Sequence, residues 1–315
     1  MGTGIDPDWI GREPSKNLEI AAMKIDWLSY VFIVFLIIIW GSAFGLTSVA
    51  LDGFSPIETS FGRTALAAIV VAGFAIVSGQ GIPNTMLEWR WLSLLGIIGL
   101  AAPITLLSWA QQFIPSTVAS IFISSVPLFI LLATRVVLRE HVSRRKWIGF
   151  AIGFGGLVWL AGPSAISQIG GEGQTIAQLA CILVAIGYAS GGIIIKLMPS
   201  FPPFRATAGT MISGAVFLSP FGYTAFETAL DAPMVPLIAL VALGILPSGI
   251  GQNIRYIVVK RRGPVFMSVV GFLLPIWAGF VGFFILDEPL TLHTVSAYVI
   301  ILGGLLISRD NRKPA

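Results

Sequence analysis

The sequence contains the same pattern of residues twice, and a constant offset of 148 residues separates the two copies. The offset needs no gap across aromatic, serine, proline, acidic and double-glycine positions, which chance would not produce. It predicts two copies of one unit of roughly 150 residues. The aligned pairs are Trp40 and Tyr188, Ser42 and Ser190, Ser120 and Ser268, Pro127 and Pro275, Glu140 and Glu288, and Gly155-Gly156 and Gly303-Gly304.

The composition indicates a membrane protein. Hydrophobic residues make up 56% of the 315 residues and charged residues only 11%, whereas a soluble domain has about 25% charged residues. One cysteine excludes a disulfide within the chain. The basic residues fall in short loops between apolar runs, so we do not expect nucleic acid as a partner. The expected partners are the lipid bilayer and a small-molecule substrate.

Apolar runs of about 20 residues recur from Trp27 onward, and each can cross roughly 30 Å of hydrocarbon as a helix. Residues 1–26 are polar and lack the apolar core of a signal peptide, so we interpret them as a cytoplasmic tail. The predicted fold is an all-α membrane protein. The ten predicted transmembrane helices are 27–49, 55–78, 91–111, 116–138, 143–162, 175–197, 204–223, 234–257, 264–286 and 291–308.

The distribution of Lys and Arg among the loops predicts the orientation of the helices. Every second connection contains neither residue, while the alternate ones contain basic residues such as Arg90, Arg144 to Lys146 and Lys260 to Arg262. Basic loops remain in the cytoplasm, so both termini are predicted to be cytoplasmic. Five crossings in each copy then require the second copy to be inverted. Inverted repeats around a central cavity are an architecture of secondary transporters.

Four short motifs stand out in the two copies, and the third and fourth lie at matching places. They are Trp40-Gly41-Ser42 with Phe44, Arg63 after Phe61-Gly62, Leu138-Arg139-Glu140 before Gly155-Gly156, and Leu286-Asp287-Glu288 before Gly303-Gly304. In these motifs the chain resembles the drug/metabolite transporter superfamily, in its ten-helix branch with two EamA-type domains, over about residues 28–308. The resemblance implies a transporter without cofactor or enzymatic activity, similar to the aromatic amino-acid exporters of that branch.

The repeat and the loops divide the chain into five parts. Residues 27–162 are the predicted first EamA-like five-helix repeat and 175–308 the second. Residues 163–174 form the periplasmic linker between them. The cytoplasmic tails are 1–26 and 309–315. The expected location is a bacterial inner membrane, as a monomer or a weak dimer.

Arg63 is the strongest candidate for substrate binding. It lies about eight residues into the second predicted helix, so its Cα is roughly 12 Å deep. A buried guanidinium there costs a few kcal/mol or more unless it faces a cavity or a partner. One interpretation is that its planar donors bind a substrate carboxylate. The alternative is a pair with Glu58 or a bond to helix-end carbonyls.

Aromatic residues near the middle of the first and sixth helices are candidates for the walls of a substrate site, since aromatic residues usually concentrate at the interfaces instead. These are Trp40 and Tyr188, with Phe44 added by the first-helix motif. Core packing is the alternative for each. Ser42 and Ser190 accompany them and either bind substrate or bond back to their own helix.

Two amides lie within the eighth predicted helix, Gln252 and Asn253. Such side chains either bond between helices or line a cavity. Trp109 lies in the region of the third helix that corresponds to them and is a further candidate for substrate contact. The sequence offers no cluster of His and Cys for a metal site.

Two matched pairs are candidates for the transport cycle. Pro127 and Pro275 each remove a backbone hydrogen bond and kink a helix, which suits gates as well as simple curvature. Glu140 and Glu288 are candidate carriers of a coupling proton, with solvation at a helix end as the alternative.

The predicted function is a secondary transporter, and by resemblance an exporter, of small amphipathic metabolites such as amino acids, aromatic ones among them. One alternative is a transporter of nucleosides or drug-like compounds. Another, of a different class, is a membrane scaffold or lipid-binding protein. The chain has no glycine loop with Lys-Ser/Thr for ATP, so the driving force is expected to be a proton gradient or the gradient of the substrate.

Overall fold

Helices form all of the regular structure in the residues that the computed structural model describes, 16–114, 116–167, 174–285 and 291–308. A helix bonds its own backbone polar groups, as hydrocarbon requires. The α-helices are α1 (Lys16–Leu51), α2 (Pro56–Val77), α3 (Met86–Gly96), α4 (Ala102–Ala110), α5 (Ser116–Ile123), α6 (Val126–Val136), α7 (Arg144–Ser167), α8 (Thr175–Leu197), α9 (Pro203–Gly222), α10 (Ala225–Asp231), α11 (Met234–Leu243), α12 (Gly251–Ile285) and α13 (Leu292–Ser308). Two π-helical segments join neighbouring α-helices, π1 (Ile97–Ala101) between α3 and α4, and π2 (Gly244–Ile250) between α11 and α12.

Several predicted helices have the bounds that the sequence indicates. The sixth, 175–197, coincides with α8, and the second and seventh differ from α2 and α9 by one residue at each end. The third begins at Met86 instead of 91, because Thr85 and Glu88 form a capping box there. Likewise α1 begins at Lys16, ahead of the apolar run. Hydropathy marks where a helix enters hydrocarbon, whereas its backbone begins where a cap or good helix formers allow.

Three predicted bounds are wrong. The fourth helix is divided into α5 and α6, because Pro127 cannot donate to the carbonyl of Ile123, where α5 ends. The predicted loop 224–233 contains α10. The eighth helix continues past 257 to the ninth, and only Gly263 separates them with a left-handed backbone (φ 83°). Glycine adopts that conformation without strain.

Five helical stretches of the described residues are long and apolar enough to cross a membrane. They are Trp27–Leu51, Pro56–Val77, Met86–Ala110, Thr175–Leu197 and Met234–Trp277, and shorter apolar helices are Val126–Val136 and Leu292–Ser308. Their outward surfaces are apolar. On α8 the exposed side chains include Ile176, Leu179, Leu183 and Ile186, which share one helix face. Such a continuous apolar face needs lipid.

Helices from the two halves pack on one another reciprocally. Helix α1 packs on α11, π2 and α12, while α8, which lies 148 residues later, packs on π1, α4, α5 and α6. The other extensive contacts join α2 to α9 and α7 to α13, and the members of each pair are also related by the offset. The first π-helical segment follows Gly96, and the second begins at Gly244, the equivalent glycine 148 residues later.

Polar side chains join α2 to the α10 region at one end and α9 to α3 at the other. The Glu58 carboxylate accepts hydrogen bonds from the hydroxyls of Thr224 and Thr228, both 2.8 Å long. Near the other end, Arg205 donates to the buried Glu88 at 3.2 Å and to the Gln80 carbonyl at 2.6 Å. A buried carboxylate that loses its counter-charge is strongly destabilising, so Arg205 and Glu88 fix this part of the bundle.

The repeated double glycines place one glycine of each pair at the interface between α7 and α13. A Cβ added at Gly304 would lie 2.5 Å from the Gly153 nitrogen, and one at Gly156 would lie 2.8 Å from Ile301 Cγ1. Their neighbours, Gly155 and Gly303, have nothing within 4 Å. Within the two double glycines, the close helix contact therefore requires glycine at Gly156 and Gly304, and it does so at Gly149 of α7 as well.

We expect Gly304→Ala to lower the thermal unfolding temperature, because its methyl group would overlap the backbone of α7. Overpacking of this kind costs about 1–3 kcal/mol. The matched control is Gly303→Ala, where the space is open and alanine favours the helix. Thermal unfolding of the purified protein in detergent measures both. Equal unfolding temperatures for the two variants would contradict the close contact.

Candidate functional site

A cavity of about 140 Å³ lies between the two halves of the chain. Residues of α1, α2, α4, α5, α6, α8, π2 and α12 line it. Most are aliphatic or aromatic, and few polar side chains reach it. A closed apolar cavity of about 150 Å³ holds a ligand the size of one aromatic ring, so this cavity suits a small molecule.

The lining residues occur largely in pairs that the 148-residue offset relates. The cavity therefore lies where corresponding surfaces of the two halves face each other. Both copies of the repeat contribute equivalent positions to its lining. The pairs are Trp40 and Tyr188, Phe44 and Gly192, Ile104 and Gln252, Leu107 and Arg255, Gln111 and Val259, Ile123 and Gly271, and Val126 and Leu274.

Arg63 of α2 lines the cavity and is 8% exposed. Its Nε donates to the hydroxyl oxygen of Ser248 in π2 at 3.0 Å. Its two terminal nitrogens make no hydrogen bond with any residue that the structure describes. The alternative pairing with Glu58 is absent, because both Glu58 oxygens accept bonds from Ser55 and from the threonines near α10. Arg63 therefore presents free donors to the cavity.

The sequence reasoning missed a second buried arginine, Arg255, which is 6% exposed and lines the same cavity. Its Nη1 donates to the Gln252 side-chain oxygen at 3.1 Å, and its Nη2 donates to the Tyr188 carbonyl at 2.9 Å. Arg255 lies inside the predicted eighth helix, 234–257, but was not among the candidate residues. The signal that was available is its spacing, since Gln252 and Arg255 share a face of a helix.

The aromatic candidates of α1 and α8 contact the cavity. Trp40, Phe44 and Tyr188 line it, as the sequence predicts. The Trp40 indole donates to the Pro247 carbonyl at 3.2 Å. That carbonyl is available because the Gly251 N–H bonds to Leu246 in the π-helical pattern. The π2 segment therefore fixes the indole as well as Arg63.

The two serine candidates do not line the cavity. The hydroxyls of Ser42 and Ser190 donate to Ile38 and Ile186 of their own helices, and neither residue lines the cavity. Such back-bonding satisfies a hydroxyl in hydrocarbon.

Trp109 and Asn253 also lie outside the described cavity lining. The ring of Trp109 packs against Phe113 at a centroid distance of 4.9 Å. Asn253 donates to the Thr207 hydroxyl at 3.2 Å and joins α12 to α9. Of the two amides, only Gln252 lines the cavity. A further amide, Gln111, lines it at the end of α4.

The two prolines differ in what they do to their helices. Pro127 lies in the first turn of α6, where no N–H is needed, so it starts a helix instead of kinking one. Pro275 lies inside α12 and leaves the Gly271 carbonyl without its helical donor. The Ser124 hydroxyl donates to that carbonyl at 3.4 Å. The divided fourth helix and α12 therefore meet at the cavity wall.

The acidic candidates lie apart from the cavity. Glu140 is a half-exposed surface residue whose carboxylate is 3.7 Å from Lys196 Nζ. Glu288 lies outside the described residues. Among the residues that the structure does describe, no group of His, Cys, Asp and Glu could hold a metal ion.

Comparison with known proteins identifies relatives over nearly the whole chain. A model of the EamA-like transporter family matches residues 27–162 and 175–309. A probable terminal-alkyne amino-acid exporter of Streptantibioticus cattleyicolor is 28% identical over 88% of this chain and 92% of its own. An uncharacterized transporter of Archaeoglobus fulgidus is 27% identical over 88% of this chain and 97% of its own. An uncharacterized inner membrane transporter of Escherichia coli K12 is 23% identical over 87% of this chain and 88% of its own.

A crystal structure of another protein has the same fold. It superposes with a TM-score of 0.68 at 19% sequence identity and covers 89% of this chain and 96% of that one.

We expect Arg63→Met to raise the thermal unfolding temperature by a few degrees, because it removes a buried charge for which the described residues supply no counter-charge and roughly keeps the volume. Replacing buried ionic groups with apolar ones stabilises proteins by about 1–4 kcal/mol. The contrasting control is Arg205→Met, which leaves Glu88 unpaired and should lower the temperature. Thermal unfolding in detergent measures both. If Arg63→Met is as destabilising as Arg205→Met, Arg63 serves structure.

Proposed function

We propose that this chain, which belongs to the EamA-like transporter family, is a secondary transporter that exports small amphipathic metabolites such as amino acids by alternating access. The observation that carries the proposal is Arg63, a buried guanidinium with free terminal nitrogens at a cavity between the two halves. A charge in that position is costly unless a ligand or a partner compensates it. Binding of a carboxylate supplies that compensation.

The proposed architecture is ten transmembrane helices in two inverted five-helix repeats. Three features support it: the reciprocal packing of α1 and α8, the equivalent positions of the π-helical segments, and the paired lining of the cavity. With both termini in the cytoplasm of a bacterium, the two halves would expose the cavity alternately to each side of the inner membrane.

The size and chemistry of the cavity support a small amphipathic substrate. Trp40, Phe44 and Tyr188 offer flat apolar surface, and Arg63 offers a planar set of donors. Drug-sized ligands occupy pockets of about 300–1,000 Å³, so a cavity of about 140 Å³ favours a metabolite over a drug-like compound or a nucleoside. The amino-acid assignment draws on the name of the Streptantibioticus relative.

A non-transport scaffold or lipid-binding protein is the alternative of another class. Such a protein has no use for a charged, enclosed site between two repeats, whereas an acyl chain binds to an apolar groove without arginine. The buried guanidinium therefore favours transport.

The proposed gate is the place where Pro127 and Ser124 lie against Gly271. On the first half it lies at the break between α5 and α6, and on the second half it lies one turn before Pro275 in α12. The gradient of the substrate itself is the proposed driving force. Protons remain a candidate, but Glu140 lies on the surface away from the cavity, so a proton carried there would act at a distance.

Substrate counterflow tests the transport proposal. Proteoliposomes that contain the purified protein and unlabelled phenylalanine should accumulate external labelled phenylalanine, and Arg63→Gln should reduce the initial rate about tenfold or more, because a charge-assisted hydrogen bond is lost. Arg63→Lys should retain part of the rate. Arg90→Lys, at an exposed position of α3, is the control. Unchanged flux in both Arg63 variants would remove Arg63 from the site, and binding without flux in the unaltered protein would contradict transport.

A further inference from the structure

The second buried guanidinium restricts the charge of the ligand. We propose that the cavity binds a net-anionic ligand, a small aromatic or branched carboxylate without an ammonium group, whose carboxylate lies between Arg63 and Arg255. This rests on the proposed transport function for its biological meaning, and it replaces amino acids by organic anions as the preferred substrates among the amphipathic metabolites.

The charge of the cavity wall is the first argument. Arg63 and Arg255 are 8% and 6% exposed, and among the described lining residues there is no carboxylate. Two guanidinium groups therefore share one apolar site without a described counter-charge. Two like charges in a poorly solvated site raise each other's cost. A monoanion reduces the net charge of the site, whereas a zwitterion leaves it unchanged.

The position of the two groups is the second argument. Arg63 is anchored to Ser248 and Arg255 to Gln252, and these anchors are four residues apart across the junction of π2 and α12. Both guanidinium groups line the same cavity of about 140 Å³, so a small anion bound there lies in the field of both.

Each arginine also retains donors for a ligand. Arg63 uses only its Nε, and Arg255 uses one N–H of Nη1 and one of Nη2. A guanidinium has five N–H donors in a planar fork that matches a carboxylate. The anchoring bonds fix the orientation of each fork and leave the remaining donors for the anion.

The groups of the described lining that could face an ammonium group are neutral, the Gln111 side-chain oxygen and the aromatic rings among them. The hydroxyls of Thr47 and Ser268 donate to carbonyls of their own helices, and the Pro247 carbonyl accepts from Trp40. The Gln252 oxygen accepts from Arg255. No negative charge is present among these described groups, so the ammonium of an amino acid would lie in the positive field of two arginines. An oxo acid or simple carboxylate with the same side chain avoids that repulsion.

Three probes with one ring and different charge test the inference by isothermal titration calorimetry on the full-length protein in nanodiscs. They are 3-phenylpropanoate, phenylalanine and 2-phenylethylamine. We expect 3-phenylpropanoate to bind about tenfold or more tightly than phenylalanine, and 2-phenylethylamine not to bind. Arg255→Gln should abolish the preference, whereas Arg255→Lys should keep it at lower affinity. Arg262→Gln, an exposed position whose guanidinium stacks on Phe266 of the same helix, is the matched control.

The outcomes separate this inference from the transport proposal. Equal affinity for phenylalanine, no binding of 3-phenylpropanoate, or an unchanged preference in both Arg255 variants would overturn the inference. Counterflow of phenylalanine without an anion preference would leave transport standing and the inference wrong. Tight binding of 3-phenylpropanoate without flux of either compound would support the inference and contradict transport.

Discussion

Two positive charges without a described counter-charge, held in an apolar surrounding, are the constraint on which this structure depends. Burial of an ionised group costs several kcal/mol even after relaxation. Both Arg63 and Arg255 therefore lower the free energy of unfolding. Each is anchored by a neutral partner, a hydroxyl for one and an amide with a carbonyl for the other. Neutral partners orient a guanidinium without cancelling its charge. The site therefore keeps its attraction for an anion, which a carboxylate partner from the protein would have removed.

Irregular helices supply the positions that these side chains need. In π2 the Gly251 N–H donates to Leu246 instead of Pro247, and the Trp40 indole donates to the Pro247 carbonyl. Where Pro275 lacks an N–H, the Gly271 carbonyl becomes available and the Ser124 hydroxyl takes it. In both cases a side chain from the other half satisfies the carbonyl, as hydrocarbon requires. The irregularities thus connect the halves at the cavity, and each connection is one weak bond that a change of conformation can exchange.

The sequence predicted the repeat, most helix bounds and part of the site for physical reasons. Length in hydrocarbon fixes α2, α8 and α9, and a guanidinium in an apolar run identifies Arg63 without knowledge of neighbours. Arg255 was missed although it also lies inside a predicted apolar helix, 234–257, and so carried the same signal as Arg63. Ser42, Ser190 and Asn253 were candidates because polarity shows only that a side chain needs a partner. Which partner it finds depends on the rotation of the helix, which only packing determines.

The turn at Gly263 gives the second half of the chain an unusual mechanical property. Helix α12 carries Arg255 before that residue and Gly271 and Pro275 after it, and a single residue leaves no loop to absorb a displacement. A ligand that draws Arg255 inward would therefore be accommodated by rotation at Gly263 or by movement of the following helix. In the first half, residues 111–114 after α4 are non-helical. The two halves would consequently respond to the same ligand with unequal stiffness, despite their common ancestry in sequence.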